Sequence, residues 1–241
     1  MKNKAIYLII VVLLVLFAYK FGANSKSNTS EITPVLTNES CSRAQPYTIA
    51  PEFVRALSLI RQREVESYQS VNQKPPDDIR NCLDVQYSDV KDKNSAEGLF
   101  VFDKNFASKE KLPILVDNSY KNYDDLLTAL LLAHEATHAR QYLNELNNKL
   151  HLGCFEKEEN AFQIQMGFYM TLNQEEKNSI TARLNQNDNS PQLVQLRELI
   201  DLFNNVGRTC GNDSVCFNDT WRKSISTMVR SSPFYQKECN L

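Results

Sequence analysis

The chain is 241 residues long, 42% hydrophobic and 23% charged, with a formal net charge of -2. This near balance, with no basic stripe interleaved with aromatics, gives no reason to expect nucleic acid as a partner, and six glycines without a phosphate-cradling loop argue against nucleotide chemistry. The length suits one globular domain of roughly 180 to 200 residues behind an N-terminal appendage.

The appendage comes first. Lys2 and Lys4 precede an unbroken apolar run from Ala5 to Tyr19, and Lys20 closes it. At 1.5 Å per residue the run spans about 22 Å, short of a hydrocarbon core of about 30 Å. Snorkelling lysines and Phe21 stretch it toward a signal anchor, while Ala23-Asn24-Ser25 offers small residues for cleavage after a signal peptide. Residues 1–23 are therefore read as a signal anchor or signal peptide. In either case the positive end stays inside and the remainder is exported, to the periplasm or beyond the cell. Residues 24–46, rich in Asn, Ser, Thr and Lys, read as a flexible tether or short propeptide. Residues 47–241 form the functional domain.

Six cysteines lie in the exported part: Cys41, Cys82, Cys154, Cys210, Cys216 and Cys239. An even set in an oxidising compartment implies three disulfides. Cys210 and Cys216 bracket the turn-rich GNDSV and are the one pairing the sequence suggests. No C-x-x-C pair supports a zinc ribbon or a thioredoxin-type site.

Pro51 suits the first turn of a helix over 51–70, with Phe53, Val54, Leu57, Ile60 and Val65 at helical spacing. Pro75-Pro76 breaks the chain, and three short strand candidates follow at 82–90, 99–102 and 112–116. Consecutive short strands suggest a small, mainly antiparallel sheet. A helix capped by Asn122 then carries Leu126, Leu127 and Ala129 to Ala133 with almost no polar interruption, so it is buried on all sides, and Asn147-Asn148 ends it. Further helices are expected over 155–172, from Asn173, from Ser190-Pro191 and over 214–230. The fold class is α+β with helix dominating.

The buried helix bears the chemistry. His134, Glu135 and His138 form H-E-x-x-H, and positions four apart share a helix face, so both imidazoles can reach one ion. Neutral imidazole suits zinc, and Glu135 can act as general base toward the attacking water without ligating the metal. Two of the three histidines in the chain fall in this motif. A catalytic zinc needs a third protein ligand. The metzincin pattern would place a histidine six residues after His138, where Asn144 stands. The segment Glu156-Lys157-Glu158-Glu159 offers carboxylates instead. Glu158 has Ala161 and Phe162 at i+3 and i+4, as a residue facing a neighbouring helix should, so Glu158 is the expected ligand and Glu159 its rival.

On His134, Glu135, His138 and Glu158, with nineteen residues between His138 and Glu158, the chain resembles the gluzincins, the thermolysin-like branch of the zincin metallopeptidases. The resemblance covers at most residues 99–172. It implies a Zn2+-dependent endopeptidase; together with the N-terminal segment, this reads as an exported enzyme, membrane-anchored or secreted, acting on peptides or envelope proteins. It also exposes a departure. Many gluzincins carry an acidic residue four positions after the ligand glutamate to orient a histidine; here that position is Phe162, so either Gln165 or another group supplies the contact or the site is weaker than usual. His151, Tyr123, Tyr142 and Tyr169 are the candidates for stabilising an oxyanion, and Arg140 and Gln141 read as packing or salt-bridge partners. Two other readings stand beside the peptidase: a non-catalytic cell-envelope binding protein on a zincin scaffold, and a disulfide-rich interaction module in which the motif is accidental.

Overall fold

A computed structural model of the chain describes residues 40–41, 49–90, 97–101, 111–147, 149–186 and 191–239. The expected anchor (1–23) and, apart from Ser40 and Cys41, the tether (24–46) lie outside them. Among the described residues no helix is long and apolar enough to cross a membrane. The fold is α+β and helix-dominated, with a three-stranded sheet. Two compact units divide the chain, one ending at Leu152 and the other running from Gly153 onward.

In the first unit, helix α1 (Pro51–Gln69) starts with proline at its first position, where a missing N–H costs nothing. A 3-10 turn, Arg80–Cys82, leads into strand β1 (Leu83–Ser88), and β2 (Gly98–Phe100) and β3 (Leu112–Asp117) follow. The sheet order is β1-β3-β2. β2 runs antiparallel to β3, but β1 runs parallel to it, in register from Leu83↔Leu112 to Ser88↔Asp117. The sheet is thus mixed, not mainly antiparallel. The strand order follows from β3, whose Leu112, Ile114 and Val116 are all 0% exposed. This most apolar strand takes the centre, where both its edges are paired, and β1 and β2 flank it without pairing with each other.

Helix α2 (Asp125–Leu146) packs on α1 and on β2 and β3. Its cap is Asp124, whose side chain accepts from the N–H groups of Leu126 and Leu127 at 3.1 and 3.0 Å. Asn122, the expected cap, instead ends a 3-10 turn over Asn118–Asn122 that Asp117 caps by accepting from the Ser119 N–H. Leu127, Ala129, Leu130, Leu132, Ala139 and Leu143 are each at most 1% exposed, as the unbroken apolar run requires. Arg55–Asp125 and Arg140–Glu64 ion pairs clamp α1 to α2, and the Cys41–Cys82 disulfide secures the start of β1.

The second unit is all helical: α3 (Cys154–Thr171), α4 (Gln174–Asn185), α5 (Pro191–Cys210), α6 (Ser214–Ser231) and α7 (Pro233–Cys239). Asn173 caps α4 by accepting from the Glu176 N–H at 2.9 Å, and Asp213 caps α6 at the N–H groups of Val215 and Cys216. α6 is central, in contact with α3, α5 and α7. Trp221 on it is fully buried and meets Phe203 edge-on at 5.3 Å. Between α5 and α6 the chain reverses at Gly211, whose φ of +56° is the left-handed conformation that ends helices. Cys210–Cys216 closes this turn, the pairing expected from spacing, and Cys154–Cys239 joins the start of α3 to the end of α7. α7, a seven-residue helix that begins at Pro233, is not among the expected elements.

Candidate metal centre

α2 delivers both histidines from one face. Their Nε2 atoms oppose each other at 3.1 Å, with the rings edge to face at 4.8 Å. Two nitrogens each about 2.05 Å from a tetrahedral zinc would lie about 3.3 Å apart. The pair is therefore already spaced for a shared ion. His134 is buried at 8% exposure. His138 Nδ1 lies 3.0 Å from Gln141 Oε1, one turn further along the helix.

Glu135 is buried beside them and held from the sheet. Its Oε2 accepts from the backbone N–H of Phe100 at 2.8 Å. Gly98 allows this approach: a Cβ there would fall 2.8 Å from Glu135 Cγ and Oε1 and 2.9 Å from Leu131 Cδ1. β2 thus touches α2 at the one strand position without a side chain. Behind it, the Tyr120 hydroxyl donates to buried Glu97 at 2.5 Å. Burial, then Glu97 itself, pushes the Tyr120 phenol well above its ordinary pKa.

The three glutamates of α3 have separate partners. Glu156 accepts from the Gly153 N–H at 2.9 Å and caps the helix. Glu159 accepts from Ser226 Oγ and from Arg230 Nε, both at 2.9 Å. One ligand atom each from His134, His138 and Glu158 lie within 4.8 Å of one another, a group that could hold a metal ion. Neutral imidazoles and a carboxylate are donors that suit a divalent transition metal.

The remaining expectations separate. His151 is exposed in the segment before α3. Tyr142 is buried, its ring 6.0 Å from that of Phe100, and Tyr123 stands edge-on to Tyr120 at 4.9 Å. Tyr169 belongs to the core of the second unit, against Phe203 and under Lys177, and burial raises its phenol. Phe162 is likewise core, edge-on to Tyr235 at 5.9 Å. Arg140 pairs with Glu64, as a packing partner should. Sequence reasoning missed the contacts of Gln141, Gly98 and the Phe100 N–H. For Gln141 the i+3 spacing from His138 was a usable signal.

No family model, curated protein or solved structure matches the chain.

Proposed function

We propose that the chain is an exported, membrane-tethered zinc metallopeptidase of gluzincin type that hydrolyses peptide bonds. The observation that carries this reading is the donor group of His134, His138 and Glu158, with the Glu135 carboxylate on the same helix. Three disulfides among six cysteines agree with an oxidising, extracytoplasmic setting.

His134 and His138 would hold the ion through ring nitrogens and Glu158 through a carboxylate oxygen. Zinc bound there supplies Lewis acidity, polarising a scissile carbonyl and making a water acidic enough to attack at neutral pH. Glu135 does the proton work. The Phe100 N–H anchors its Oε2, which leaves Oε1 to take a proton from the attacking water and return it to the leaving amine. The water oxygen ends on the carbonyl carbon, and the C–N bond breaks.

A second reading is a binding protein of the cell envelope that keeps the scaffold without the reaction. Its supporting observation is that Glu135 is only 6% exposed and already holds a hydrogen bond. Metal analysis and a peptide-library digest decide. The peptidase should carry about one zinc per chain, and Glu135→Gln should keep that zinc while abolishing cleavage. A chain without zinc overturns both readings. Cleavage by Glu135→Gln at the wild-type rate overturns the assigned base, and zinc with no cleavage by either protein leaves the binding reading.

A further inference from the structure

The resemblance leaves His138 and His134 without the acidic residue that gluzincins place on the glutamate helix, because Phe162 occupies that position in an apolar core. A ligand histidine whose second nitrogen is not held can rotate and can adopt either tautomer, and only one tautomer offers Nε2 as a lone pair. α2 itself supplies a holder. Gln141 stands three residues after His138, on the neighbouring position of the same helical face, and is 4% exposed. Its Oε1 is 3.0 Å from His138 Nδ1. A carboxamide oxygen only accepts, so Nδ1 must carry the proton in this contact. The lone pair then sits on Nε2, the atom that faces His134 Nε2 at 3.1 Å.

We infer that Gln141 is a positioning residue of the metal centre, which holds His138 in the Nδ1–H tautomer and leaves Nε2 as its ligand atom. The inference rests on the metal reading proposed above but is confined to one helix. Because donor and acceptor are one turn apart on α2, the contact forms with the helix itself. It takes over the task that gluzincins give to a carboxylate on the glutamate helix. A neutral amide orients the ring without adding negative charge to it.

Two measurements on the exported chain test this. The first is competitive chelator titration with zinc alone. Gln141→Leu, close in volume and without an acceptor, should bind zinc about 10- to 100-fold more weakly than wild type. Gln141→Glu, which restores an acceptor at the same place, should recover wild-type affinity or exceed it. Equal affinity of the leucine variant and wild type, or failure of Gln141→Glu to recover what the leucine variant loses, overturns the inference. The second is the 15N spectrum of the metal-free protein with its imidazoles neutral. It should show the His138 proton on Nδ1 in wild type; a proton on Nε2 overturns the inference. This spectrum needs no variant, so it decides even if Gln141→Leu does not fold. It also separates the two claims: an Nδ1–H signal in a chain that takes up no zinc refutes the metal reading and upholds the tautomer assignment.

Discussion

The backbone N–H of Phe100 donates to Oε2 of Glu135 across 2.8 Å, joining the edge strand β2 to helix α2. The contact depends on Gly98, since no other residue leaves room for Glu135 and Leu131 at that point. Gly98→Ala is therefore expected to destabilise the chain by about 1–3 kcal/mol, the range for forcing a methyl group into a filled site. It should also displace Glu135 and lower cleavage while zinc content stays near one per chain, because no ligand is touched. Urea unfolding and metal analysis on the same preparation check both halves.

Glu158 and Glu159 are adjacent but have different partners. Glu158→Gln should remove the anionic donor and sharply weaken zinc binding. Glu159→Gln should leave zinc binding unchanged, since Glu159 is engaged by Ser226 and Arg230. Arg230 is half exposed, so the stability cost of Glu159→Gln should stay within about 1 kcal/mol. Parallel zinc titrations and thermal melts distinguish the two; a reversed order of zinc loss would reassign the ligand.

Acid sensitivity has a local source at Asp78. Burial opposes its ionisation, but hydrogen bonds from Arg80, Nε at 2.9 Å and Nη2 at 2.7 Å, outweigh this and hold the carboxyl below its usual range. Its folded pKa thus lies below the unfolded value of about 3.9. The stabilisation is complete above the unfolded value and is lost as pH falls through the folded one. Asp78→Asn should cost about 1 kcal/mol at pH 7, discounted for the partial exposure of both partners. The gap to wild type should narrow below about pH 4, and urea midpoints across this range measure it.

The disulfides of the second unit differ in the loops they close. Cys154–Cys239 spans 85 residues and Cys210–Cys216 spans 6. The chain-entropy relation gives about 4.5 kcal/mol for the first and about 2 kcal/mol for the second. Replacing Cys154 and Cys239 by alanine should therefore lower the unfolding midpoint more than replacing Cys210 and Cys216. Equal shifts would mean that the unfolded chain retains structure across the longer loop.

Where the determinants are local, the sequence is sufficient. The period of Leu126 to Ala139 and the i, i+4 spacing of His134 and His138 determine a buried helix with two imidazoles on one face, and the α2 backbone realises this without help from elsewhere. Pro51, Asn173 and the Cys210–Cys216 turn are legible for the same reason: each acts within one helical turn or one tight reversal. Only the tertiary structure decides the contacts between residues far apart in the chain. It pairs β1 with β3 in parallel, and it puts β3, whose Leu112, Ile114 and Val116 are fully buried, at the centre. It separates three similar glutamates into a helix cap, Glu156, an ion-pair partner, Glu159, and a member of a group that could hold a metal ion, Glu158. It also brings Phe100 to Glu135 across thirty-five positions, a juxtaposition that no periodicity encodes and that a single missing side chain, at Gly98, permits.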